Sequence, residues 1–201
     1  MFVFLSIPRS VLIADPLYNE NMEAERFLKR EEFDKLLAAA KDDRERCILY
    51  LFAGAGLRVA EASRIRIEDL NLGSSYLHIP ASNAKGGKAR TVALLPPVVA
   101  VLHTYLNGRS TGYLFPSIAG DHISPRQIQY ILKSIASKAG IERVHPHLLR
   151  HSFAVWSPEY GIDIYTLSQQ LGHSSILTTS IYLKSAPSHR RDAYVRSGML
   201  S

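Results

Sequence analysis

The hydrophobic period of this chain changes twice, and that change limits the folds open to it. From Lys29 onward Phe33, Leu36, Leu37 and Ala40 recur at helical spacing. A second helical stretch, about 44–53, puts Ile48, Leu51 and Phe52 on one face and stops at Gly54 and Gly56. A third short helix is predicted over 59–64. The period then shortens: 76–79 and 91–94 are rich in strand-favouring residues, and Asn83 and Gly86-Gly87 between them signal the reversal of a β-hairpin. Helical spacing returns over 97–106, and Tyr113-Leu114-Phe115 reads as one more short strand.

Ser124-Pro125-Arg126-Gln127 reads as an N-cap, a proline at the first helical position and a glutamine closing a capping box. The helix it opens carries Ile128, Ile131, Leu132 and Ile135 inward and ends at Gly140. Further helices are predicted over 147–156, 163–171, 174–183 and 188–196, with Pro158 expected to end the first of these early. The fold class that follows is mainly α with a small antiparallel β-sheet, an α+β arrangement.

A chain of 201 residues suffices for one domain with a substantial core. Its formal charge of +6 suits a polyanion partner without requiring one. The single cysteine, Cys47, sits in an apolar run and reads as a core residue; with no intrachain disulfide available, the expected compartment is a reducing cytoplasm. Residues 1–14 are apolar but contain Pro8 and Arg9. They are too short to span a bilayer and lack a basic leader region, so no membrane association is expected. Residues 1–25 are expected to be an N-terminal segment or the remnant of a linker.

Six polar residues stand at predicted element ends or tight turns: Arg58, Lys85, His147, Arg150, His173 and Tyr182. In Ala55-Gly56-Leu57-Arg58-Val59-Ala60-Glu61, glycines let the backbone turn and place Arg58 at a helix start, with Glu61 in reach to hold its guanidinium. A surface ion pair would read the same way. Lys85 is expected at the tip of the hairpin, where a solubilising role competes with entry into a nucleic-acid groove. Lys88 and Arg90 add charge suited to phosphate contacts. His147 and Arg150 lie three apart after Pro146, at a helix N-terminus that attracts phosphate. Metal binding by the flanking His145 and His151 is the weaker reading, because no Cys, Asp or Glu stands at zinc-site spacing. His173 is pinned in a turn after Gly172. Tyr182, in the helix that follows, would on its own read as a half-buried core residue.

Taken together, Ala-Gly-Leu-Arg58-Val-Ala-Glu61, Lys85 in a glycine-rich hairpin, Pro-His147-Leu-Leu-Arg150-His-Ser-Phe-Ala, Leu-Gly-His173-Ser-Ser and Tyr182 resemble the tyrosine recombinase (integrase) catalytic domain, in order and in approximate spacing. The resemblance runs from about Arg26 to Arg196 and is Xer-like.

It implies a catalytic domain over 26–201 that lacks the family's N-terminal core-binding domain. The implied function is site-specific cleavage and rejoining of double-stranded DNA through a 3′-phosphotyrosyl link, with no metal or other cofactor. The implied roles are Tyr182 as nucleophile, Arg58 and Arg150 as phosphate clamps, Lys85 as acid for the leaving oxygen, His147 as base or phosphate donor, His173 as a further donor and Glu61 as support for Arg58. The partners implied are DNA and, on DNA, a tetramer of the same chain, monomeric without it and nucleoid-associated when bound. Two other readings stay open: a type IB topoisomerase-like enzyme, and a non-catalytic DNA-binding regulator derived from such a domain.

Overall fold

A computed structural model describes residues 26–118, 120–173, 175–180 and 182. The expectations for 1–25 and for a helix over 188–196 lie outside these residues. Helices α1 (Arg30–Ala39) and α2 (Asp43–Ala53) open the fold, followed by the short α3 (Val59–Ser63). A three-stranded antiparallel sheet comes next, in order β1 (Leu70–Asn71), β2 (Tyr76–Ile79), β3 (Arg90–Ala93). Helices α4 (Pro96–Leu106), α5 (Pro125–Ala139), α6 (Pro146–Glu159), α7 (Ile164–Leu171) and α8 (Leu177–Ser180) complete the order.

The α2 helix sits at the centre, packed against α4, α5 and α6. Its Cys47, Ile48, Leu49, Leu51 and Phe52 are all buried, so this helix is apolar around most of its girth. Burial also pushes the Cys47 thiol up to about 12, which keeps it an inert core residue. The α5 cap forms as its sequence predicts: Ser124 Oγ accepts from the Gln127 amide at 3.1 Å, Gln127 Oε1 accepts from the Ser124 amide at 2.9 Å, and Gly140 ends the helix at φ 67°. Two bonds tie α6 to the entry of α1. The Leu28 amide donates to Ser152 Oγ at 2.8 Å, and Trp156 Nε1 donates to the Leu28 carbonyl at 3.0 Å.

The β2–β3 hairpin forms across a connection over 80–89, and Lys85 and Gly86 stand at the centre of a tight turn in it, closed by the Gly87 amide donating to the Ala84 carbonyl at 3.1 Å. Two expectations need correction, and one strand is added. Strand β1, invisible to periodicity because it is two residues long, pairs Leu70 with Leu77. Tyr113 forms only an isolated bridge to Arg66. Pro158 does not stop α6 early; the helix runs on to Glu159. The proline falls in the last turn, where few helical bonds remain to be lost, and the end is closed by the Tyr160 and Gly161 amides bonding to Ser157 and Pro158 carbonyls.

Candidate active site

The start of α3 and the first residue of β3 converge on one buried carboxylate. Glu61, in the first turn of α3, has a side chain only 1 % exposed. It reaches back to its own N-cap residue: Oε2 accepts from the Arg58 amide at 2.9 Å, and Oε1 accepts from Arg58 Nη1 at 3.0 Å. This is the glutamate half of a capping box; the arginine side chain, which only donates, bonds the carboxylate in place of the Glu61 amide. From the sheet, Arg90 grips the same carboxylate with both arms of its fork, Nη1 to Oε1 at 2.7 Å and Nη2 to Oε2 at 2.8 Å. Burial alone would raise the Glu61 carboxyl, but the bonds from Arg90 and Arg58 outweigh it and hold the group below the usual carboxylate range.

Arg90, expected as a phosphate contact, is turned inward: each Nη donates to Glu61 and Nε donates to the Gln170 carbonyl at 3.3 Å. Spacing carries no sign of this pairing, which spans the sheet and α3. Lys85 and Lys88 remain exposed in the loop that ends at Arg90.

Arg150 enters the cluster from α6. It is 7 % exposed. Nη1 donates to the Gly56 carbonyl, and Nη2 donates to the Leu171 carbonyl at 2.9 Å and meets His173 Nε2 at 3.2 Å. Arg58 Nη2 likewise donates to the Gly172 carbonyl at 2.9 Å. Both acceptor turns need glycine. Gly56 has φ 70° and a Cβ there would lie 2.7 Å from the Phe153 ring; Gly172 has φ 63° and a Cβ would lie 2.8 Å from the Arg90 side chain. Burial first, and then the nearby Arg58, lower Arg150 to about 9. Arg58 and Arg90 thus share the Glu61 carboxylate, and Arg150 lies within its electrostatic reach, which leaves the cluster with an excess of positive charge.

His173 follows Gly172 at the end of α7. Its Nδ1 lies 2.7 Å from Thr179 Oγ1 in α8. Burial, then Arg150, Arg58 and Arg90, lower it to about 4, so the ring is neutral at pH 7. Tyr182 is half-buried against the cluster of Ala154, Leu167 and Leu171, and its ring centre lies 5.4 Å from that of His151. A phenolate there would raise Arg150, which marks the tyrosine as a neighbour of the guanidinium.

His147 stands apart from this cluster. It is exposed in the first turn of α6, stacked beside His145 with ring centres 6.4 Å apart, and lines a cavity of about 190 Å³ with Arg26, Arg143, Leu148 and His151. His145 is the N-cap of α6: its Nδ1 accepts from the Leu148 amide at 3.1 Å. The structure therefore gathers Arg58, Glu61, Arg150, His173 and Tyr182, adds Arg90, Thr179 and His151, and leaves His147, Lys85 and Lys88 exposed outside the bonded cluster.

A sequence model described as the phage integrase family matches residues 26–189. The tyrosine recombinase XerA of Pyrococcus furiosus is 38 % identical over 180 residues, covering 86 % of this chain and 62 % of that protein. The chain thus spans about three fifths of the length of that relative. A crystal structure of XerA recombinase superposes with a TM-score of 0.72 at 32 % identity, over 86 % of this chain and 65 % of the other. The XerH site-specific recombinase bound to its difH substrate, in a pre-cleavage complex, gives 0.68 at 25 % identity, over 84 % of this chain and 53 % of the other. The fold is that of tyrosine recombinase catalytic domains, mostly helical with a small antiparallel sheet.

Proposed function

This chain belongs to the phage integrase family, and from that premise we propose that it cleaves and rejoins double-stranded DNA through Tyr182 as a site-specific recombinase. The observation that carries the reading is the surplus of guanidinium charge around Glu61, partly buried and beside a tyrosine. Such a cluster is arranged to receive an anion, and a phosphodiester in transit from four to five substituents is the anion whose charge it would stabilise. The Tyr182 oxygen attacks phosphorus and the bond from phosphorus to the 5′-oxygen breaks. The leaving oxygen takes a proton from Lys85, and a 3′-phosphotyrosyl link remains.

Arg58 and Arg150 have donors left over for the non-bridging oxygens. Arg150 has five N–H groups, and its bonds to Gly56, Leu171 and His173 use three of them. Glu61 and Arg90 hold Arg58 in place. His147, exposed at the α6 N-terminus, serves as base or phosphate donor, and Lys88 contacts the DNA backbone. Lys85 needs the loop over 80–89 to move into the groove; a DNA substrate with a bridging 5′-sulfur, whose leaving group needs no proton, should rescue Lys85→Ala and not a mere binding defect. Exchange requires four protomers on two duplexes. Among the described residues no helix is long and apolar enough to cross a membrane, and the reading places the reaction in the DNA-containing cytoplasm.

The test is a duplex nicked near the scissile phosphate, which traps the covalent intermediate. The parent should form an adduct that resists denaturation, and Tyr182→Phe should fold normally and form none. Retardation without an adduct would make the chain a DNA-binding regulator. Relaxation of supercoils without recombinant product would make it topoisomerase-like. An adduct mapped to another tyrosine would overturn the assignment of Tyr182.

A further inference from the structure

His173 is held at both ring nitrogens, and its two partners differ in kind. At Nε2 it meets Arg150 Nη2 at 3.2 Å; at Nδ1 it meets Thr179 Oγ1 at 2.7 Å. A guanidinium only donates, so Nε2 must accept and its lone pair faces Arg150. The neutral ring then carries its proton on Nδ1 and donates it to Thr179. Putting a second proton on the ring is opposed by burial and by three guanidinium groups, Arg150 from α6, Arg58 from the start of α3 and Arg90 from β3. In this arrangement Nε2 has no hydrogen to offer a phosphate oxygen, yet that is the donation the active-site reading asks of His173.

Thr179 removes the conflict. It is fully buried in α8, one helical turn before Tyr182. A hydroxyl is both donor and acceptor, so it can serve either neutral form of the ring. We propose that Thr179 is a positioning residue that lets His173 exchange tautomers: its hydroxyl accepts from Nδ1–H in the DNA-free site and donates to Nδ1 once Nε2–H turns to a phosphate oxygen. The change is balanced. As Arg150 swings its N–H from Nε2 to the phosphate, one proton leaves the Nδ1 side to water and one reaches Nε2 from water, so the ring stays neutral. Because Thr179 stands three residues before Tyr182, the tautomer is also set only when the nucleophile segment is docked. The inference rests on reading the site as one for phosphoryl transfer.

The experiment combines the ring's ¹⁵N signature with a mutant cycle. In ¹⁵N-histidine-labelled protein without DNA, His173, assigned by its loss in His173→Gln, should show the Nδ1–H form; the Nε2–H form would overturn the proposal. In single-turnover cleavage of the nicked duplex, Thr179→Val should be about ten- to a hundred-fold slower, the cost of leaving a buried nitrogen unpaired, at unchanged DNA affinity. Thr179→Ser, which keeps the hydroxyl, should cleave near the parent rate. In a His173→Gln background Thr179→Val should add nothing further. A full additional loss there, or a Val variant at the parent rate, would show that the threonine acts only by packing. If the Val variant does not fold, the parent's tautomer and the Ser variant still decide. A parent that makes no adduct refutes the active-site reading and leaves the tautomer measurement standing by itself.

Discussion

Two hydrophobic clusters of very different size hold the two halves of the site. The larger runs from Leu28 to Trp156 and includes the buried faces of α1, α2, α4 and α5 and the inner residues Leu77, Ile79 and Val92 of the sheet. Arg58, Glu61 and Arg90 are built on it. Among the described residues the smaller has three buried members, Ala154, Leu167 and Leu171, with Phe153 and Tyr182 packed against them. The proposed nucleophile thus sits on a small patch, while its clamp sits on the main core. The stitches between them are polar: Arg58 to the Gly172 carbonyl, Arg150 to the Leu171 carbonyl, and Arg90 to the Gln170 carbonyl. Regions with few buried apolar contacts open at lower cost than the core. The tyrosine segment is therefore expected to undock at lower cost than the clamp unfolds, which would suit the proposed nucleophile.

The comparison can be broken first at Glu61. Glu61→Gln keeps the shape but leaves Arg58, Arg90 and Arg150 around no carboxylate, and removing one partner from a buried charge network costs about 3–5 kcal/mol. Urea denaturation at pH 7 should show a global loss of that size, with DNA cleavage lost as well. A change below about 1 kcal/mol would mean that solvent already screens these charges.

Paired truncations sharpen it next. Leu49→Ala, in the main core, should lower global stability by about 2–5 kcal/mol. Leu171→Ala, in the small cluster, should move the main transition by less than half as much. It should instead speed amide exchange in α7 and α8 and slow adduct formation. Equal shifts for the two variants would show that the clusters unfold as one unit.

The smallest expected effect is a pH dependence carried by the tyrosine side of the site. His173 titrates near 4 in the fold against an ordinary value of 6.5, so between those values the unfolded chain binds the extra proton. Its contribution to stability is complete above about pH 6.5 and is lost as pH falls toward 4. The ring is about half exposed, so the effect is modest. Thermal midpoints at pH 7.5 and pH 5 should converge in His173→Gln relative to the parent. An unchanged difference would assign the acid sensitivity to other groups.

Much of the fold is legible in the sequence. Helices α1, α2, α4, α5 and α7 fall within a residue or two of their periodic patterns, because each has a glycine, a proline or a capping side chain at its end and an apolar face of regular spacing. Arg58 and His173 are legible for a related reason, since each stands at a helix boundary beside a glycine turn, whereas Lys85 and His147 read the same way and lie outside the bonded cluster. The long-range pairings are not legible. Arg90 reads as a loop cation, and only the packing of β3 against α7 turns it onto Glu61. Likewise, Thr179 looks like any helix threonine until the turn at Gly172 brings His173 over it.

By itself, then, the sequence determined the class of fold, the elements and the residue types that carry the chemistry, since local periodicity and turn residues act over a few positions. The tertiary structure alone decided which cations are turned inward, which carbonyls hold the arginines and which partner meets each nitrogen of His173. Those outcomes depend on donors and acceptors brought together from distant parts of the chain, where a buried guanidinium must find every partner its geometry allows.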